Sequence, residues 1–401
     1  MIENPFSWHQ AAHMLYIEGP PGVGFSYCAE QIRDPSAVCA ADDDTTAEAN
    51  LDALRSFLAK FPEFTGSDFF ITGESYGGVY VPTLAKLLFE SDLHKTGALR
   101  FLGWAVGDPC TDDRTQRDEI DFSPQFALRH GVIDELLFEK LETCLTNPHS
   151  IVCRRAQFQY EVALGARRRL YDDYNVYGLS KHSGWELAHD YLNRGDVKDA
   201  LHVSGTPNPN DWGFCSQINY STVYDACNYA PKPGEISMLP IYQQLAPSLR
   251  NVLLYNGDVD PSVDEFGSVR AAYAMGFGVK DGGEWRPYVS AGSPAMAMAV
   301  APLRTRARLT PARARRPRSP ARSWVYNMTG VGPSFLRWKF EGFGESLTWG
   351  DVGEQLGGYV VSFESNFTFL TIHGSGHMCV TPAGARATHS PGARRSPRAA
   401  R

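Results

Sequence analysis

The chain has 401 residues, of which 43% are hydrophobic, 12% aromatic and 21% charged, and its formal charge is −7. That length suits one large α/β domain with insertions or about two or three ordinary domains, and it excludes a mini-protein scaffold. No stretch approaches the roughly 18 to 20 consecutive apolar residues of a membrane-spanning helix, so an embedded protein is excluded too.

The elements can be taken in chain order. An apolar run at His13–Glu18, closed by Gly19, Pro20, Pro21 and Gly22, predicts a strand. The acidic cluster Asp42–Asp44 suits a helix N-terminus, and the apolar stripe Leu51, Leu54, Phe57 and Leu58 predicts a helix over Thr45–Lys60. A strand at Asp68–Thr72, a helix near Val81–Phe89 and a strand at Leu99–Val106 follow. Between 111 and 234 the pattern turns to polar helices and clustered aromatics, which predicts an inserted helical cap. The alternation resumes with a helix near Ile236–Ala246, a strand at Asn251–Asn256, a helix near Gly267–Met275 and a late strand at Asn366–Ile372. Strands separated by helices describe a mostly parallel sheet with helices on its faces. The expected division is a first core part at 4–110, a cap at 111–234, and a second core part at 235–287 and 324–378.

Two tracts stand apart. Tyr288–Ser323 holds eight Arg and no acid, and Val380–Arg401 holds five Arg and no acid. Both lack periodicity and read as disordered. Removing 288–323 joins Trp285, Arg286 and Pro287 to Trp324, Val325 and Tyr326, so that tract reads as a retained intron. Without these tracts the body is far more acidic than −7. That argues against nucleic acid as a partner, because phosphates require a basic face.

Eight Cys, at 28, 39, 110, 144, 153, 215, 227 and 379, include no C-x-x-C pair. A metal site is therefore not expected, and disulfides are, with Cys144–Cys153 and Cys215–Cys227 the close pairs. Sequons at Asn219, Asn327 and Asn366 point to glycosylation in the same oxidising compartment. The stretch at Met1–Trp8 does not read as a signal peptide.

The strongest chemical signal is Gly73-Glu74-Ser75-Tyr76-Gly77, a G-x-S-x-G pattern where a strand passes into a helix. A sharp turn there needs glycines because Cβ atoms would clash, and it lifts the Ser75 hydroxyl clear of the sheet as a nucleophile. A serine needs a base, and the base needs an acid to fix its tautomer. His377, after the last strand, supplies the base. Asp260 or Asp258, after the strand at Asn251–Asn256, supplies the acid, and the order Ser, Asp, His is that of the α/β-hydrolases. His373 and His377 are separated by glycines, which argues against a helical metal pair. Gly19, Gly22 and Gly24 lack dinucleotide-binding spacing and read as a shaped cleft loop, so no cofactor is expected.

Five collinear motifs, Met14–Tyr27, Gly73–Pro82, Tyr191–His202, Tyr255–Asp260 and Gly374–Met378, resemble the serine carboxypeptidases over residues 4–287 and 324–378. The resemblance implies an α/β-hydrolase fold with a helical insertion, acting on peptide or protein C-termini at acid pH in a vacuole, a lysosome or secreted fluid. It implies Ser75 as nucleophile, Asp260 rather than Asp258 as triad acid, His377 as base and the Tyr76 N–H as an oxyanion donor. Glu74 is implied to bind the substrate carboxylate in its protonated form, and Gly22, Gly24, Tyr27 and Met378 to line side-chain pockets. A homodimer is a further expectation. Upstream of Met14 the family carries a strand and a Gly-Gly-Pro-Gly-Cys loop that this sequence does not show. The expectation is a sheet whose first strands are missing, with a gap beside the strand that ends at Thr72. An acyltransferase built on the same triad, and a catalytically silent truncated product, are the alternative readings.

Overall fold

The computed structural model describes residues 7–116, 123–168, 175–176, 185–208, 211–213, 218–224, 226–227, 237–290 and 355–377. Met378, Asn327, Cys215, Cys379 and all of 291–354 and 378–401 lie outside the described residues.

The strands are β1 (Ala40–Asp42), β2 (Ser67–Glu74), β3 (Leu99–Gly107), β4 (Asn219–Ser221), β5 (Asn251–Gly257), β6 (Arg286–Ser290), β7 (Gln355–Ser362) and β8 (Phe367–Ile372). The helices of the first part are α1 (Ala29–Arg33), α2 (Asp43–Lys60), α3 (Gly77–Glu90) and α4 (Asp92–Lys95). Those between β3 and β5 are α5 (Asp113–Gln116), α6 (Pro124–Arg129), α7 (Glu135–Thr146), α8 (Ile151–Arg168), α9 (Trp185–Leu192), α10 (Gly195–Ala200) and α11 (Leu239–Leu245), and α12 (Glu265–Ala274) follows β5.

Among the described residues six strands form one sheet in the order β2-β3-β5-β8-β7-β6. β2, β3, β5 and β8 run parallel, while β7 and β6 are antiparallel to their neighbours. β1 and β4 form a separate parallel pair, Ala40–Asp42 beside Asn219–Ser221. Period-two alternation divides the sheet faces. Val252 and Leu254 of β5 join Trp104, Val106, Phe367 and Phe369 in the main core, against Leu54 of α2, Leu84 and Leu88 of α3 and Tyr242 of α11. Leu253 and Tyr255 point the other way, into a smaller cluster with Ala105, Leu370 and Ile372.

The expected helices of the first core part and its strands at Asp68–Thr72 and Leu99–Val106 are present with modest changes of boundary. α2 starts at Asp43 because Asp42 caps it, accepting the Thr45 N–H at 2.7 Å. α3 starts at Gly77 rather than near Val81, and it carries Pro82 at its sixth position, inside the helix, where the ring removes one i→i−4 hydrogen bond. Tyr288, Val289 and Ser290, which composition assigns to the Arg-rich tract, are the second half of β6, paired with β7.

One expected strand is absent. Residues 13–18 belong to no ladder among the described residues. A strand exists only where a neighbour takes its N–H and C=O groups, and here a cavity of about 1090 Å³ intervenes. It is lined by Met14, Leu15 and Ile17 of this segment and by Phe69, Phe70 and Ile71 of β2, the terminal strand of the sheet.

Among the described residues three disulfides join Cys28–Cys39, Cys110–Cys227 and Cys144–Cys153. The close pair 144–153 is as expected. Cys227 pairs with Cys110 rather than Cys215, because folding brings the end of β3 to the end of the insertion, a proximity that sequence spacing does not carry.

Candidate active site

β2 ends at Glu74 and α3 begins at Gly77, so Ser75 and Tyr76 make the whole turn. Ser75 has φ +60°, the left-handed region that non-glycine residues enter only with strain. Its N–H donates to Gly107 O at 2.9 Å, and its carbonyl accepts from Gly78 N at 2.8 Å and Cys110 N at 3.0 Å. The glycines around it answer to close approach. A Cβ on Gly73 would lie 2.7 Å from the Val81 side chain, and one on Gly78 would collide with the Cys110 backbone.

The parallel strands β5 and β8 end on the same side, where open α/β sheets collect their ligands. Asp260, after β5, is fully buried. It accepts from Ser262 N at 2.7 Å and Val263 N at 3.3 Å, and its Oδ2 lies 2.7 Å from His377 Nδ1. An ionised carboxylate only accepts, so Nδ1 carries the proton and Nε2 is left as the basic nitrogen. Asp258 is engaged elsewhere. It lies 2.6 Å from exposed His373 Nδ1 and accepts from Gly374 N at 2.6 Å, which shapes the turn ahead of His377. The two acids left open by the motif are thus separated by partner.

Electrostatics mark the same place. Burial pushes the Glu74 carboxyl up to about 7; His377 opposes the shift and Asp260 adds to it. Burial disfavours a charged His377, but the charge and hydrogen bond of Asp260, with Glu74 behind them, outweigh it and raise its pKa. Glu265 at the start of α12 is pushed to about 8, first by burial and then by Asp258 and Asp260, against Arg129.

Tyr76 is held through its side chain. Its hydroxyl donates to Asp43 Oδ1 at 2.9 Å, and Asp43 also accepts from Tyr220 OH, Val223 N and Tyr224 N. Asp43 was legible only as part of a helix N-terminus; the tyrosines that use it are up to 181 positions away.

The loop glycines fit a shaped wall. Gly22 has φ +101°, with Cys39 and Ile218 where a Cβ would stand, and Gly24 has φ +52°, facing the Glu18 carboxylate. Glu18 ties the loop down, accepting from Phe25 N and Trp212 Nε1, each at 2.7 Å. Gly24 lines a cavity of about 510 Å³ together with Gly19 and Tyr80, and both of these also line the large cavity that reaches Glu74, Ser75 and Tyr76. Tyr27 is exposed, and neither cavity includes it or Gly22. Asn219 and Asn366 are exposed; Asn366 Nδ2 donates to Leu249 O at 2.9 Å.

A fully buried residue that the motifs do not include completes the cluster. A carboxylate oxygen of Asp108, one of Asp260 and a ring nitrogen of His377 lie within 4.8 Å of one another. No other such convergence of three His, Cys, Asp or Glu side chains occurs among the described residues.

The comparisons with known proteins identify the family and the fold. A family profile described as serine carboxypeptidase matches residues 1–301. Serine carboxypeptidase-like 38 of Arabidopsis thaliana is 30% identical over 315 residues, covering 73% of this chain and 61% of the relative. Serine carboxypeptidase-like 33 of the same plant is 26% identical over 413 residues, covering 94% of this chain and 70% of the relative. Among solved structures, a prohormone-processing carboxypeptidase of Saccharomyces cerevisiae superposes with a TM-score of 0.53 at 17% identity, over 93% of this chain and 71% of that one. This last likeness is one of fold, the α/β-hydrolase fold read from the sequence. The chain spans 61% of the length of the first of these relatives. With a profile match over most of its length, the chain belongs to the serine carboxypeptidase family.

Proposed function

We propose that this protein is a serine-type carboxypeptidase, releasing C-terminal residues from peptides through an acyl-enzyme at acid pH. The observation that carries the reading is the buried 2.7 Å His377–Asp260 pair beside a carboxyl, Glu74, that holds its proton up to about 7. In this reading Ser75 Oγ attacks the scissile carbonyl and passes its proton to His377 Nε2. Asp260 stabilises the imidazolium, and the Tyr76 N–H donates to the developing oxyanion. His377 then gives the proton to the leaving amine, and water repeats the sequence on the acyl-enzyme.

Glu74 explains why the cut is terminal. A protonated carboxyl donates a hydrogen bond to the substrate's C-terminal carboxylate, whereas two ionised carboxylates would repel. Acid pH keeps that proton in place. Three disulfides fit folding in the secretory pathway and work in a vacuole, a lysosome or secreted fluid. Among the described residues no helix is long and apolar enough to cross a membrane.

The test is release of the C-terminal amino acid from an N-acyl dipeptide at about pH 6.5, where Glu74 still holds its proton and part of His377 is neutral, with Ser75→Ala as control. Release that depends on Ser75 supports the proposal. Release that survives Ser75→Ala, or acyl transfer to an alcohol without peptide hydrolysis, overturns it.

A further inference from the structure

We propose that Asp108 is a positioning residue for Ser75, His377 and Asp260, one whose buried negative charge supports the imidazolium that His377 becomes. The inference rests on the catalytic reading above and adds a residue to it.

The geometry begins in the backbone. Asp108 follows β3 directly, and the carbonyl of its neighbour Gly107 takes the Ser75 N–H at 2.9 Å. Asp108 N donates to Tyr255 O at 2.8 Å, and Asp108 Oδ1 accepts from Gly257 N at 2.8 Å. One residue therefore clamps the end of β5 at Gly257, three positions before Asp260, and adjoins the anchor of Ser75. Its φ is +44°, a conformation that costs a non-glycine residue energy and is retained where surrounding contacts enforce it. Its side chain is fully buried and its carboxylate lies within 4.8 Å of both members of the Asp260–His377 pair.

An acceptor alone would satisfy Gly257 N–H. A carboxylate does more, because a second negative charge close to the imidazole favours its protonated form. The other titratable groups around this pair are Glu74 from β2, Asp258 and His373 from the turns after β5 and β8, and Glu265 of α12, with Arg129 of α6 beyond it. Asp258 is bonded to His373 and Glu265 titrates near 8. Asp108 is thus, beside Asp260 and Glu74, a carboxyl set directly against His377.

The test is Asp108→Asn, which keeps volume and an Oδ1 acceptor, tolerates the left-handed backbone and removes only the charge. The His377 imidazole is followed by NMR titration, its signal identified by its loss in His377→Gln. The expected result is a midpoint lower by about one unit. In peptide hydrolysis the acid limb of kcat/KM should move the same way, with kcat lower by roughly tenfold and KM unchanged. An unchanged midpoint in the folded variant overturns the proposal. Asp108→Gly, which relieves the backbone and removes the side chain, should lower the midpoint equally. If neither variant folds, Asp108 is an architectural clamp only and the charge role is rejected. Hydrolysis that survives Ser75→Ala would sink the carboxypeptidase reading instead, and the NMR midpoint separates the two failures.

Discussion

His377 Nδ1 and Asp260 Oδ2 stand 2.7 Å apart across 117 positions of sequence, with His377 4% exposed and Asp260 fully buried. Four positions earlier His373 makes a similar bond, 2.6 Å, to Asp258, yet its side chain is 61% exposed. The inner pair is desolvated and can hold a tautomer; the outer pair shapes the turn that presents it.

That difference separates the two acids experimentally. Asp260→Asn should lower kcat by roughly 10⁴-fold, as loss of the orienting acid does in a Ser-His-Asp triad. Asp258→Asn should leave kcat within about tenfold, because an amide oxygen still accepts the Gly374 N–H. Steady-state hydrolysis of an acyl dipeptide by the two variants decides the assignment, and the reverse ranking would reject it.

The pH profile follows from two raised groups. In the proposed mechanism His377 works as a base only when neutral, and its pKa is raised, so kcat/KM should fall as pH drops through a midpoint above the ordinary 6.5. In the same mechanism Glu74 is needed protonated, and burial pushes it up to about 7, so KM should climb as pH rises past that value. Glu74→Gln keeps a donor without a charge. It should abolish the alkaline rise in KM and shift the acid limb to lower pH, because one of the charges that raise His377 is gone. A KM that still climbs above pH 7 in this variant would show that another group binds the carboxylate.

Gly78→Ala tests the turn itself. Its new Cβ would meet the Cys110 backbone, which cannot rotate away as a side chain could. A loss of about 1–3 kcal/mol in stability is expected, with reduced labelling of Ser75 by a fluorophosphonate. Denaturant melts and probe stoichiometry measure both, and a variant as stable and reactive as the parent would contradict the packing described.

The Cys110–Cys227 disulfide closes a separation of 117 residues. Replacing both cysteines by Ala should cost about 4–5 kcal/mol, since the unfolded chain regains the entropy of a long loop. Cys144→Ala with Cys153→Ala releases a separation of only 9 residues and should cost less. Chemical unfolding of the two double variants checks the order.

The nucleophile turn was legible because its requirements are local. A strand running into a helix through flanking glycines constrains neighbouring residues, and one-dimensional sequence records neighbours. The long elements β3, β5, α2 and α12 were legible through their periodicity for the same reason. β7 was not, because Gly357 and Gly358 interrupt its alternation. The segment at His13–Glu18 carries a strand's composition without a strand's partner, and composition does not report pairing.

By itself the sequence determined the residue types, the order Ser75, Asp260, His377 and the fold that this order belongs to. Only the tertiary structure decided that Cys227 bonds Cys110 and that Asp43 and Asp108 reach the site. Those choices depend on distances between strand ends brought together by packing. Burial then fixes the chemistry, because a carboxyl is shifted to about 7 by the water removed from around Glu74.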